Sequence, residues 1–184
     1  MRGIIDNMLS FARKSDASFS HHNPVDLIDK ILELASTDYD PKKSFDFRSI
    51  RIEKKYADNL PMVPCESAKI QQVILNILNN GAHAMFDGSK EVQPKFILRL
   101  NHDPKKDMLR IEIEDNGPGI VPDTAKRIFE PFFTTKPVGI GTGLGLSVSY
   151  FIIVENHGGS MDVVSAPGQG AKFIIQLPIN RKCS

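Results

Sequence analysis

Two asparagines one helical turn apart are the first residues of this sequence with recognisable chemistry. Asn76 and Asn80 lie in a segment whose apolar residues have helical spacing, so their side chains are neighbours on the helix, and His83 continues the same stripe. One interpretation is an ordinary solvated flank. The other is a cation site, because amide oxygens can hold a hard ion such as Mg²⁺ among phosphate oxygens and water.

A carboxylate on the apolar face of a strand is the second candidate. The residues before Asp115 alternate between apolar and charged, and this alternation places Asp115 with the apolar set. A buried carboxylate needs hydrogen-bond donors. The donors are either N–H groups of the turn that follows or an amine of a ligand such as adenine. That turn, NGPGI at 116–120, has two glycines that let the backbone approach a flat ligand closely.

A third candidate is the series of glycines at every second position over 139–145, which leads into an apolar helix. Exposed N–H groups at the start of a helix favour an anion, most often phosphate. The series lacks the GK[ST] ending of the P-loop and does not follow a strand, so the dinucleotide-binding pattern also fails. A flexible connector remains the alternative interpretation.

Helices and strands that alternate in groups must position these candidates. Apolar spacing predicts three helices, at about 24–34, 66–86 and 144–156. Two-residue alternation predicts strands that begin near 50, 96, 109, 161 and 171. The pattern predicts an α/β (α+β) two-layer sandwich, with a mixed, mostly antiparallel sheet of about five strands and helices on one face.

Composition excludes several classes of protein. The 184 residues include 23 Lys and Arg against 22 Asp and Glu, and the net charge of +1 argues against a nucleic-acid partner and against direct membrane contact. No apolar run approaches the roughly 20 residues that cross a bilayer, and no signal peptide opens the sequence. The two cysteines, Cys65 and Cys183, lack metal-ligand spacing, which favours a reducing, cytoplasmic setting.

The first residues form a separate unit. Residues 1–13 carry an apolar stripe without a preceding capping residue, which predicts the end of a longer helix. A polar break follows, and Asn23 with Pro24 then forms a helix entry. We therefore expect a boundary between a first part, 1–22, and a main domain, 23–184.

Five motifs in order resemble one family. They are NILNN at 76–80, DNGPG at 115–119, FEPFFTTK at 129–136, the glycine series at 139–146 and GQGAKF at 168–173. This order and spacing resemble the catalytic and ATP-binding domain of bacterial sensor histidine kinases, within the ATPase superfamily that includes gyrase, Hsp90 and MutL. The resemblance covers about residues 24–178 and implies the Bergerat-type ATP-binding fold.

The resemblance implies a role for each matching residue. Asn80 would coordinate Mg²⁺ with Asn76 in support, and Asp115 would accept a hydrogen bond from the adenine amine. The base site would be completed by Gly117, Gly119 and Ile120. Phe132 and Phe133 would anchor a mobile lid, and Lys136 would contact phosphate. The hinge of the lid and its phosphate-facing backbone would comprise Gly141, Thr142, Gly143, Leu144, Gly145 and Leu146. His83 is either a further ATP-binding residue or a helix-flank histidine.

The resemblance also implies cofactors and partners. ATP and Mg²⁺ would bind, and the γ-phosphate would be presented to a histidine on the dimerisation domain of the same kinase, which lies outside this chain. A response-regulator receiver domain would then accept it. Residues 1–22 would be the end of the dimerisation-hairpin helix and a linker, with His21 and His22 as loop residues. The parent would be a homodimer, either free or membrane-anchored, with this part in the cytoplasm.

Two alternatives remain open. One is an ATP-hydrolysing clamp of the gyrase or Hsp90 kind, although those relatives carry a glutamate where this chain has Asn76. The other is a degenerate nucleotide-sensing module that transfers no phosphate. Two departures from the family pattern accompany the resemblance, Gly81 where alanine is usual and Ala171 where threonine is common.

Overall fold

The computed structural model describes residues 19–37, 45–87, 92–136 and 142–180. Within them the strands are β1 Ser20–His22, β2 Arg51–Tyr56, β3 Val63–Cys65, β4 Lys95–Asp103, β5 Met108–Asp115, β6 Ser160–Ser165 and β7 Ala171–Pro178. The helices are α1 Pro24–Thr37, α2 Ser67–Asp87, α3 Pro122–Ala125 and α4 Gly145–Phe151, and a π-helical turn, Ile152–Asn156, continues α4. The predicted helix over 1–13 lies outside the described residues.

Five strands form the main sheet, in the order β2-β4-β5-β7-β6. The β2–β4 pair is parallel and the other three pairs are antiparallel, so the prediction of a mixed, mostly antiparallel sheet is confirmed. The predicted hairpin is formed by β4 and β5, whose register sets Phe96 opposite Asp115. This pairing brings the start of β4 to the end of β5, where the predicted carboxylate lies.

The core lies between one face of this sheet and the helices. Alternate residues of β4 and β5 are fully buried, as the two-residue period predicts, and α2 buries a stripe of apolar residues against them. Helix α2 contacts α1 on one side and α4 on the other. The opposite face of the sheet carries charged side chains, including Arg99, whose Nη1 lies 2.6 Å from Glu114 Oε2.

No helix among the described residues is long and apolar enough to cross a membrane.

A second, two-stranded sheet was not predicted. Strand β1 pairs antiparallel with β3, and His21 lies opposite Pro64. The expectation that His21 and His22 lie in a loop is therefore wrong. No alternation of apolar and polar residues signals β1, because the strand is short and polar. A proline at position 64 argues against a strand unless that strand has a free edge. Residues 20–22 pair with β3 although they precede the predicted boundary.

The start of α1 and the end of α4 are each held by a hydrogen bond with a side chain. Helix α1 begins as predicted, since Asn23 Oδ1 accepts a hydrogen bond from the Val25 N–H at 2.9 Å. Beyond α4, the π-helical turn presents the buried His157, whose Nδ1 lies 2.8 Å from the Ile152 carbonyl oxygen. Its Nε2 accepts from the N–H of Glu66, directly before α2, at 3.2 Å. This histidine joins the end of α4 to the start of α2.

Candidate functional site

A pocket of about 750 Å³ lies between the second half of α2, the loop after β5, α3 and the loop that leads into α4. It brings together residues that are far apart in the sequence. The predicted site residues that line it are Asn76, Asn80, His83, Asp115, Gly119, Ile120, Lys136, Thr142, Gly143, Gly145 and Leu146. The asparagine stripe of α2 thus faces a pocket and is not an ordinary solvated flank.

Three predicted residues do not line the pocket, and one lies outside the described residues. Gly117 packs against the Asp115 side chain, since a Cβ at position 117 would lie 3.0 Å from Asp115 Oδ1. The side chain of Phe132 is 57% exposed, whereas its N–H donates to the Gly143 carbonyl at 2.9 Å and so joins the two ends of the loop. Leu144 also lies outside the lining. Gly141 is the residue that the structure does not describe, as it does not describe the rest of 137–141.

The prediction missed other lining residues. These are Asn79, Gly81, Ala84, Pro118, Val121, Thr124, Ile128, Thr134, Thr135, Ala171 and Phe173. Phe133, which is predicted as a lid anchor, also lines the pocket. Asn79 could have been found, because it lies three residues after Asn76 on the same helix. The members near α3 follow no motif and carry unremarkable side chains, so the sequence held no signal for them.

Asp115 forms the polar centre of one end of the pocket. Its side chain is buried, with 7% of the residue exposed, and Oδ1 accepts hydrogen bonds from the N–H groups of Gly117 at 2.9 Å and Ala171 at 3.2 Å. Burial raises the pKa of the Asp115 carboxyl above its ordinary value, and the two N–H donors oppose that rise. Among the described residues Oδ2 has no hydrogen-bond donor, so it remains an acceptor for a ligand.

The glycine at position 81 has a packing reason. A Cβ there would lie 2.7 Å from Phe96 Cε1 and 3.3 Å from Asp115 Oδ2. The edge of the fully buried Phe96 ring therefore occupies the space that an alanine methyl group would need. Glycine costs the helix about 1 kcal/mol relative to alanine, and the ring that it admits offsets this cost through its packing.

The loop after Asp115 is held from both sides. Asn116 Oδ1 accepts from the Lys95 N–H at 2.8 Å, which fixes the loop to the start of β4. On the other side the Gly168 N–H donates to the Pro118 carbonyl at 2.7 Å. Gly119 has a φ of +75°, and a Cβ there would lie 2.0 Å from the Ala166 carbonyl oxygen. This end of the pocket, which we call the base end, is built around Asp115 and the loop 116–120.

The other end of the pocket is lined by amides. Asn76 Nδ2 donates to the Gly145 carbonyl and to Ser149 Oγ, both at 3.2 Å, and so ties α2 to α4. Within the described part of the chain Asn76 Oδ1 has no donor. Asn79 and Asn80 line the same end. Three amide side chains form a donor set that fits a hard cation shared with phosphate oxygens, because such cations prefer oxygen ligands.

Hydroxyl and cationic groups complete this second end, which we call the phosphate end. Thr134, Lys136 and Thr142 line it, and the Lys136 N–H donates to Thr134 Oγ1 at 3.1 Å. Next to them Phe133 lines the pocket, and the guanidinium of Arg127 lies 4.5 Å from its ring centroid. One end thus offers an acceptor beside apolar walls, and the other offers cationic and amide groups. This arrangement fits a planar base joined to an anionic group.

Comparison with known proteins gives the family. Residues 65–181 match the family described as histidine kinase-, DNA gyrase B-, and HSP90-like ATPase, and the chain belongs to it. Sporulation kinase E of Bacillus subtilis is 38% identical over 133 residues, which are 72% of this chain and 17% of that protein. The sensory histidine kinase/phosphatase NtrB of Vibrio alginolyticus is 32% identical over 187 residues, 98% of this chain and 49% of that protein. The chain spans half or less of the length of these relatives.

Solved structures agree with the family. Full-length ShkA in complex with AMPPNP has a TM-score of 0.75 at 25% identity, covering 99% of this chain and 36% of that chain. The nucleotide-free catalytic domain of the histidine kinase ThkA has a TM-score of 0.69 at 26% identity, covering 88% and 95%. The predicted fold and family are confirmed, and the described residues form an ATP-binding domain of the histidine kinase type.

Proposed function

We propose that this chain binds ATP with Mg²⁺ and presents the γ-phosphate to a histidine on a dimerisation domain of the same kinase. The observation that carries the proposal is that one pocket contains both Asp115 and the amide and lysine side chains of the phosphate end. The family membership and the named sensor kinases among the relatives support it.

At the base end, Asp115 Oδ2 accepts a hydrogen bond from the exocyclic amine of adenine. Oδ1 is already held by two N–H donors, so the carboxylate is oriented before the ligand binds. The backbone at Gly119 and the side chain of Ile120 then contact the base. A base with a carbonyl oxygen in place of the amine would place that oxygen opposite Asp115 Oδ2. Two acceptors would then face each other without a proton between them, which disfavours such a base.

At the phosphate end, the amide oxygen of Asn80 would hold Mg²⁺, with Asn76 and Asn79 beside it. The bound ion would supply positive charge that neutralises part of the phosphate charge. Lys136 approaches the terminal phosphates, and Thr134 and Thr142 donate hydrogen bonds to phosphate oxygens. His83 lines the same pocket with its ring edge-on to Phe45, at 4.8 Å between centroids, and so contacts the nucleotide from a fixed position.

The chemistry of the lining favours transfer of the phosphate over hydrolysis. The amide of Asn76 cannot take a proton from water, and Asp115, the carboxylate among the described lining residues, belongs to the base end. Phosphoryl transfer needs mostly positioning and charge neutralisation, which the amide and lysine side chains of the phosphate end supply. The incoming histidine brings its own nucleophilic nitrogen.

The proposed partners follow from the same role. Residues 1–22 belong to the dimerisation part of the parent kinase, a homodimer whose catalytic part works in the cytoplasm. A receiver domain of a response regulator accepts the phosphate from the histidine. A structural neighbour is the histidine kinase ThkA in complex with the response regulator protein TrrA, which supports this partner class.

Labelling with γ-³²P-ATP and Mg²⁺ tests the proposal. The chain alone is compared with the chain plus the dimerisation hairpin, and the control is a hairpin whose acceptor histidine is replaced by glutamine. We expect the chain to bind nucleotide in every sample. Acid-labile, alkali-stable label should appear only on the hairpin that keeps its acceptor histidine.

The positions of the chain's own histidines explain this expectation. His21 and His22 are held in β1, and His157 is buried between two helices. His102 lies near the end of β4. Strong label on the isolated chain would contradict the proposal, and a His83→Asn variant would then show whether the histidine in the pocket accepts it. Phosphate release without label on either partner would indicate the ATPase clamp instead.

A further inference from the structure

A serine outside the pocket lining joins two backbone segments of the base end. Ser165 is the last residue of β6, and its Oγ accepts a hydrogen bond from the Ile120 N–H at 2.8 Å. The same hydroxyl donates to the Gly170 carbonyl at 2.6 Å. Ile120 lines the pocket, whereas Gly170 directly precedes Ala171, whose N–H donates to Asp115 Oδ1. The Ser165 hydroxyl therefore links Ile120, in the wall of the pocket, to the backbone segment that holds the Asp115 carboxylate.

The two segments approach each other more closely than side chains would allow. A Cβ at Gly119 would lie 2.0 Å from the Ala166 carbonyl oxygen, and a Cβ at Gly170 would lie 1.9 Å from the Asp115 carbonyl oxygen. The distance between the segments is thus set by backbone contacts and by the hydroxyl that fits between them. Serine suits this position because its hydroxyl donates one hydrogen bond while it accepts another.

We propose that Ser165 is a positioning residue for the base end and thereby contributes to the preference for adenine. It holds Ile120 and Gly170 at a fixed separation, and through Ala171 it fixes the orientation of Asp115. The inference rests on the proposed function, in which Asp115 Oδ2 accepts a hydrogen bond from the base amine.

Removal of the hydroxyl has a specific consequence. Ser165→Ala leaves the Ile120 N–H without its acceptor and the Gly170 carbonyl without its donor, so both segments can shift. The hydrogen bond between Asp115 and the amine depends on direction and is weakened most. We expect ADP to bind about 3- to 10-fold more weakly, in proportion to the usual net value of a hydrogen bond. Inosine diphosphate, whose base lacks the amine, should lose less.

Calorimetric titrations of the full chain with ADP and with inosine diphosphate test the proposal. The variants are Ser165→Ala, Ser165→Thr, which keeps the hydroxyl, and Ser160→Ala. Ser160 is a matched control, because it begins the same strand and its Oγ donates to Gln176 Oε1 at 3.1 Å, with neither residue in the pocket lining. Urea denaturation of each variant measures folding separately.

The readout is the ratio of the two affinities. Ser165→Ala should lower the preference for ADP, Ser165→Thr should restore most of it, and Ser160→Ala should leave it unchanged. Equal losses for both nucleotides, or no loss, would overturn the proposal in favour of a purely structural serine. If Ser165→Ala does not fold, Ser165→Cys replaces it, since a thiol of similar shape forms weaker hydrogen bonds and must shift the same ratio.

Asp115→Asn separates this inference from the proposed function. Its amide nitrogen can donate to the inosine carbonyl, so the variant should reverse the preference. If Asp115→Asn leaves the ratio unchanged, the base assignment itself is wrong. If it changes the ratio while Ser165→Ala does not, the proposed function stands and the role of Ser165 is overturned.

Discussion

The base end of the pocket and the loop residues of the phosphate end are held by different kinds of hydrogen bond. At the base end the partners are distant in sequence, as in the pair of Asp115 with Ala171 and the pair of Pro118 with Gly168. At the phosphate end the threonines bond within their own loop, as Thr134 does with the N–H of Lys136. The base end is thus a product of the tertiary fold, whereas the described phosphate-end loop residues depend mainly on local contacts.

This difference separates residues that serve both folding and binding from residues that serve mainly binding. A change at the base end should alter stability and affinity together, because the same hydrogen bonds serve both. A change at the phosphate end should alter affinity with little effect on the free energy of unfolding, except at Asn76, which ties α2 to α4. The four predictions below test this contrast, beginning with the largest expected effect.

Two glycines of the β6–β7 turn should differ sharply when replaced. Gly170 and Gly168 have similar φ angles, +72° and +76°, but a Cβ at position 168 meets nothing within 4 Å. Gly168→Ala should cost about 1 to 2 kcal/mol of unfolding free energy from backbone strain alone. Gly170→Ala should cost about 3 to 5 kcal/mol, because its Cβ also collides with the Asp115 carbonyl. Equal losses in urea denaturation would show that the close approach does not constrain the base end.

Replacement of Asp115 should weaken adenine nucleotides selectively. Asp115→Ala removes an acceptor that forms a charge-assisted hydrogen bond worth about 1.5 to 3 kcal/mol, so ADP affinity should fall roughly 10- to 150-fold. Calorimetric titration with ADP measures the loss. An unchanged affinity in a folded variant would remove Asp115 from the site.

Asn80→Ala should impair binding mainly when Mg²⁺ is present. We expect about a tenfold loss of ADP affinity with the ion, little loss without it, and an unchanged urea midpoint, because Asn80 serves the ligand more than the fold. Asn101→Ala, at an exposed position of β4, is the matched control. Equal losses with and without Mg²⁺ would contradict the assignment to the ion.

The difference in stability between the wild type and the Asp115→Asn variant should depend on pH. Burial raises the pKa of Asp115, so the folded state binds the proton more tightly than the unfolded state does. The stability that this proton contributes is present below the ordinary pKa and is lost as the pH rises through the raised value. Relative to the wild type, the uncharged asparagine variant should therefore gain stability as the pH rises from the ordinary pKa of about 4 through the raised pKa of Asp115. A constant difference across that range would contradict the burial effect.

Much of this structure could be predicted, and the exceptions have physical causes. The α2 stripe and the inward position of Asp115 follow from periodicity, which depends on one buried face. Strand β1 could not be predicted, because three polar residues show no period and its partner strand contains Pro64. The same applies to Ser165, whose role depends on an Ile120 N–H that lies 45 positions away in the sequence. Lining residues near α3 were missed for the same reason, since only the fold brings them to the pocket.

The exchange of volume between Gly81 and Phe96 also restricts how this domain can evolve. An alanine at position 81 would overlap the phenylalanine ring, and a smaller residue at 96 would leave a cavity while glycine remains at 81. Each single substitution is therefore expected to be harmful, although Gly81→Ala combined with Phe96→Leu would restore the packing in part, a non-additive pair. A lineage that carries alanine at 81 and one that carries glycine are thus separated by a less stable intermediate, whichever of the two substitutions comes first.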